Sequence, residues 1–244
     1  MSPTTSATST LAPLPGVTAF TDRRFYLVGG WAAIIGALVY IVQPIIVFTF
    51  FPPTESTDPR AIFDDVASMQ AKAWTGPVEV ALFTAIGAAI IVLAVAVGRL
   101  LAERASLGAI WPRVTTSLGI ISGAGWFFAA AVGAALRSSV GAALAETGAD
   151  QVMQRAVIQG VNIMVTAGLM LAVIAFGGWL IGFIVLGKRG ALIGWPLVIV
   201  SALMLCAVLS AALPTVPPLG VLLLIPFLLV LGIAFLTKAR TARR

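Results

Sequence analysis

The feature that most constrains this chain is a succession of apolar runs, each close to or above the length that crosses a lipid bilayer. A membrane-spanning helix needs about 20 predominantly apolar residues. The runs cover residues 25–51, 77–101, 113–136, 156–186, 191–213 and 219–236. Inside lipid every backbone N–H and C=O must find a partner, and a helix satisfies them within itself. The expected fold is therefore all-α: a polytopic transmembrane helix bundle with six spans. Of the 244 residues, 60% are hydrophobic and only 10% are charged, against about 25% charged in a soluble domain. A soluble fold would leave much of that apolar surface facing water.

Between the runs the chain is short and readable. Residues 1–22 are rich in Ser, Thr, Pro and Ala and show no apolar period, which suits a disordered tail. Arg23 and Arg24 then precede a first run longer than the roughly 7–15 residues of a signal-peptide core, so an uncleaved span is expected. The fourth run exceeds what a bilayer needs, so it should tilt or begin outside the membrane. Asp58 and Pro59 read as a helix cap and first helical residue. Ile62, Val66, Met69 and Ala73 come next at helical spacing, which predicts a short amphipathic helix over 59–75 on the outer surface. The stretch 138–150 carries a weaker helical pattern, with Asp150 capping the next helix. The turn from Pro214 to Pro218 is so short that spans five and six must be antiparallel neighbours.

Lys and Arg set the expected direction. Arg23, Arg24, Arg99, Arg104, Arg113, Lys188, Arg189, Lys238, Arg240, Arg243 and Arg244 fall on one side. Arg60, Lys72, Arg137 and Arg155 fall on the other. The positive-inside rule places the first group, both termini and the basic tail 239–244 in the cytoplasm of a cell whose plasma membrane holds the bundle. Trp31, Trp111, Trp179 and Trp195 are expected at the inner interface and Trp74 at the outer one, as an aromatic belt. Trp126 falls instead near the middle of the third span.

Several chemistries are excluded or disfavoured. The chain has one cysteine and no histidine. It cannot form an intramolecular disulfide, a His-ligated haem, a His-containing zinc site or a Ser-His catalytic pair. No phosphate-binding Walker loop, paired intramembrane aspartates or voltage-sensor arginine run is present. No cofactor or metal is expected. The formal charge of +6 flanks the apolar runs, as membrane insertion requires, so a nucleic-acid partner is not expected.

Polar side chains within a bilayer are costly and therefore informative. Gln43 precedes Pro44, which frees the carbonyl of Tyr40 and should kink the first span. Gln43 either bonds to that disturbed backbone or lines a cavity opened by the kink. Glu79 sits in the first turn of span two if Gly76 is its cap. A carboxylate there suits the helix dipole, or it serves as an ion-pairing group at the mouth of the bundle. Arg155, Gln159, Asn162 and Thr166 recur at spacings of four, three and four, which puts them on one helical face. Interhelical hydrogen bonding and a ligand-lined face both fit that stripe. With Arg137, these residues could converge on one outward-opening pocket, with Ser122 and Trp126 as its floor. The Gly-x-x-x-Gly spacings Gly119/Gly123, Gly178/Gly182 and Gly190/Gly194 suit close helix crossing, in a packed bundle or in a homo-oligomer.

The layout resembles a group of bacterial six-helix membrane proteins known only as a domain of unknown function. The features that carry the likeness are the Gly30-Trp31 start of span one, the outer segment before span two, and Glu79 in Pro77-Val78-Glu79-Val80. Lys188-Arg189 with Gly194-Trp195 after it, and Pro226 in span six, also match. The resemblance covers residues 25 to 240 and implies no catalytic residue. The Ala-, Val- and Gly-rich usage is similar to that of a high-GC bacterium. Three functions are expected in order: binding of a small amphiphile, lipid or partner membrane protein through the outer half; transport or conduction along the same polar face; and lipid modification using Glu79 with an arginine.

Overall fold

The computed structural model describes residues 15–50, 76–104, 110–135, 139, 141–146, 150–210 and 219–241. The helices are α1 (Pro15–Phe50), α2 (Gly76–Arg104), α3 (Ile110–Ala135), α4 (Gly141–Glu146), α5 (Gln151–Arg189), α6 (Trp195–Ser210) and α7 (Leu219–Thr241). Among the described residues there is no strand, and the protein is an all-α bundle. Within that set, five stretches are long and apolar enough to cross a membrane: Arg23–Gln43, Gly76–Arg104, Ile110–Ala135, Gln151–Arg189 and Leu223–Thr241. The apolar helix α6 has 16 residues, about 24 Å at 1.5 Å per residue, short of a bilayer's roughly 30 Å core. The protein is thus a multi-pass membrane protein. The expected fifth span also takes in residues 211–213, which lie outside the described residues, as does the expected helix at 59–75.

Helix ends differ from the sequence reading at two places, and one is the start of α6: residues 191–194, expected in span five, form the turn before Trp195. α1 starts at Pro15, so residues 15–22, expected as tail, are helical. Proline is favoured at the first helical position, and extending an existing helix costs far less than nucleating one. Asp150 caps α5 as expected: its side chain accepts from Met153 N at 2.8 Å. Glu79 lies in the first turn of α2, also as expected. α1 continues through Pro44 to Phe50.

The six long helices form a closed ring in the order α1, α2, α3, α5, α6, α7 and back to α1. Sequential neighbours run antiparallel. Gly29 and Gly36 of α1 meet Ala96 and Ala89 of α2, and Gly177 of α5 meets Val208 of α6. Tyr26, near the start of α1, meets Phe235, near the end of α7.

Glycine allows the closest crossings. A Cβ on Gly87 of α2 would stand 2.7 Å from the Gly123 carbonyl oxygen, and one on Gly123 2.6 Å from that of Gly87. Gly30 and Gly232 face each other similarly between α1 and α7, and Gly125 and Gly168 between α3 and α5. Lipid tails are as apolar as leucine, so membrane helices associate through packing, which rewards such approach. The pairs Gly119/Gly123 and Gly178/Gly182 are consumed within the bundle. The first packs against Ala94, Trp179 and Ile91, the second against Leu118 and Thr115.

One half of the bundle is filled with aromatic rings. Trp179 stacks between Phe176 and Phe183, with centroids 5.4 and 5.3 Å away. Phe227 of α7 meets Phe176 edge-on at 6.1 Å. Trp179, expected in the interfacial belt, is therefore a core residue, whereas Trp31, Trp111 and Trp195 are exposed as a belt requires. The difference is one of helix face: Trp179 points across the bundle at Gly119, whose missing side chain makes room for the indole.

Candidate functional site

The two ends of the bundle differ in charge. Arg23, Arg24, Arg99, Arg104, Arg113, Lys188, Arg189, Lys238 and Arg240 gather toward one end, and Arg155 alone of the described cations lies toward the other. Contacts tie this cationic end together. Arg104 and Lys238 approach Tyr26, and the Lys238 ammonium donates to the Leu192 carbonyl in the turn after α5. Lys188 lies 4.3 Å above the Trp195 ring.

The candidate site lies toward the opposite end, around Trp126. Its indole meets Tyr40 of α1 edge-on at 5.8 Å and Phe83 of α2 at 5.3 Å. All three are buried, so one tryptophan joins α1, α2 and α3. Gln43 comes three residues after Tyr40, and Glu79 precedes Phe83 by four. Because α1 and α2 are antiparallel, both stand about one turn beyond the aromatic trio. Gln43 Oε1 is buried and has no hydrogen-bond partner among the described residues. Glu79 is half-buried and engaged with its surroundings.

Ser122, one turn before Trp126 on α3, is fully buried, and its Oγ has no partner among the described residues. Other helical hydroxyls behave differently. Thr116 donates to the Pro112 carbonyl at 2.8 Å and Ser201 to that of Leu197 at 2.7 Å. Such back-bonding is the usual outlet for a helical Ser or Thr. Ser122 does not use it, nor does the buried Trp179 Nε1 find an acceptor among the described residues.

The polar stripe of α5 divides in burial. Thr115 of α3 meets Gly182 of α5, and Val165 lies beside Gly133. Thr166 is half-buried, and Asn162 is buried and partnered. Gln159 and Arg155, nearer the start of α5, are exposed. α5 has 39 residues, about 58 Å, against a bilayer core of roughly 30 Å. The residues expected in one pocket accordingly fall in two groups. Gln43, Glu79, Ser122 and Trp126 belong to the α1–α2–α3 junction, while Arg155 and Gln159 are exposed near the start of α5. Arg137 lies outside the described residues.

Sequence reasoning missed Tyr40 and Phe83. A usable signal existed for the first: the chain has only two tyrosines, and a tyrosine deep in an apolar run carries a hydroxyl that must be accommodated. Phe83 is one of 13 phenylalanines and carries no such mark. Among the described residues, no group of His, Cys, Asp and Glu could hold a metal ion.

No family model matches the chain, and no curated protein or solved structure does either.

Proposed function

We propose that this protein binds a small amphiphile at the α1–α2–α3 junction, on the outward side of a bundle that crosses the plasma membrane six times with both termini in the cytoplasm. The observation that carries the binding site is the buried Gln43 Oε1. A buried acceptor with no donor among the described residues is costly, and this one stands one turn beyond the Tyr40–Trp126–Phe83 rings. An amphiphile would lay its chain on those rings and offer a hydroxyl or amide N–H to Gln43. Glu79, at the same depth on the neighbouring helix, completes the polar rim. A mostly apolar lining with a few converging polar groups has the general character of a small-molecule site.

Packing favours binding over passage. Trp179, Phe183, Phe227, Leu231 and Phe235 are fully buried toward the cationic half, and they obstruct the axis a transported solute would take. The orientation rests on the positive-inside rule applied to the cationic end.

Native mass spectrometry of purified protein with a monoacylglycerol, a fatty acid and a lysophospholipid tests the site. The expected result is one bound hydroxyl-bearing amphiphile, lost in Gln43→Leu at unchanged thermal stability. Equal retention by the wild type and Gln43→Leu would sink the proposal.

A further inference from the structure

Ser122 of α3 and Trp179 of α5 form a second constellation, independent of the reading of Gln43. Ser122 is 0% exposed and Trp179 1%. Neither Ser122 Oγ nor Trp179 Nε1 has a hydrogen-bond partner among the described residues. Two glycine contacts fix where these groups lie. A Cβ on Gly119 would stand 3.2 Å from Trp179 Nε1, so the N–H edge of the indole lies against that glycine. A Cβ on Gly125 would stand 2.8 Å from the Ala172 Cβ. Ser122 is three residues from each glycine, so it stands on α3 between two contacts with α5.

Positions three apart on a helix hold their Cβ atoms about 5–6 Å apart. The step from the Gly119 position, where the indole N–H lies, to Ser122 is therefore too long for one hydrogen bond. It is the reach of two hydrogen bonds laid end to end through one small molecule. Their chemistry is complementary to water. An indole N–H only donates, whereas a serine hydroxyl both donates and accepts. A water oxygen accepts from Trp179 Nε1 and exchanges a second hydrogen bond with Ser122 Oγ. Leaving both groups unpaired in apolar surroundings is costly, and buried water is the common partner for polar groups that the protein itself does not satisfy. Enclosure selects water over anything larger. Phe176 and Phe183 flank the indole at 5.4 and 5.3 Å, and Ser122 has no exposed surface.

We infer that a single water molecule bridges Trp179 Nε1 and Ser122 Oγ and ties α3 to α5 inside the bundle.

A double-mutant cycle tests the bridge, with melting temperatures of the full chain read in one fixed detergent. Ser122→Ala should lower the melting temperature by about 2–4 °C, the effect of one hydrogen bond in a chain of this size. The same substitution in a Trp179→Phe background should have much less effect, because the indole N–H is already gone. Ser201 is the control. It is equally buried and donates to the Leu197 carbonyl, so Ser201→Ala should act alike in both backgrounds. If Trp179→Phe does not fold, magnetic resonance of protein carrying isotope-labelled tryptophan takes its place. One indole N–H should then show transfer from water in the wild type and lose it in Ser122→Ala. No loss of stability in Ser122→Ala, an equal loss in both backgrounds, or indole signals unchanged by Ser122→Ala overturns the bridge.

Discussion

The Tyr40 ring meets the Trp126 indole edge-on, with centroids 5.8 Å apart and planes at 86°. Phe83 approaches the same indole at 5.3 Å. Trp126 is thus the piece that fills the space between α1, α2 and α3. Trp126→Ala should cost about 3–5 kcal/mol, the range for emptying a large aromatic site. Trp126→Phe should cost less, because a ring remains. Unfolding of both variants in a fixed detergent, monitored by steric trapping or circular dichroism, measures the difference. A small loss in Trp126→Ala would mean the rings are not packed as described.

The Gly87–Gly123 crossing gives a sharper test. Any side chain at Gly123 meets a backbone oxygen that cannot rotate away. Gly123→Ala should destabilise by about 1–3 kcal/mol, the usual range for overpacking. Gly160 is the control, since a Cβ there meets nothing within 4 Å. Gly160→Ala should be neutral or stabilise by up to about 1 kcal/mol through helix propensity. Equal effects at the two positions would contradict the packing.

These contrasts mark how far the sequence could be read. The helices were legible because length and polarity alone define a span, and the Asp150 cap was legible because capping is local. Which face of each helix turns inward was not. Helices apolar on every side carry no periodic signal, so Trp179 looked like Trp195 although one is core and the other exposed. The convergence of Tyr26, Arg104 and Lys238 depends on α7 closing the ring onto α1, a contact between distant parts of the chain that no local motif announces. The α5 stripe was recognised by spacing, but how α5 sits against α3 needed the Thr115–Gly182 and Val165–Gly133 contacts.

The ends of α5 offer two opposite predictions. Asp150→Ala removes the side chain that accepts from Met153 N and should cost about 1 kcal/mol. At the other end Ala191 has φ of 51°, a left-handed conformation that costs an L-residue roughly 1–2 kcal/mol. Ala191→Gly relieves that strain but adds about 0.4–1 kcal/mol of unfolded-state entropy. The net gain should be up to about 1 kcal/mol, read as a higher melting temperature. A loss of stability in Ala191→Gly would mean that the turn before Leu192 is built differently.

The proposed direction across the membrane rests on the charge asymmetry and can be read chemically. The chain has one cysteine, Cys206, so Cys206→Ser gives a thiol-free background. Single cysteines are then placed at Arg155, exposed near the start of α5, and at Arg240, exposed at the cationic end. An impermeant maleimide applied to intact cells should label Arg155→Cys and spare Arg240→Cys until the membrane is opened. The reverse pattern would invert the bundle and turn the Gln43 junction inward. Labelling of both in intact cells would mean that the two positions share a side. The start of α5 and the end of α7 would then not stand at opposite ends of the bundle, and the proposed outward-facing site at the Gln43 junction depends on that opposition.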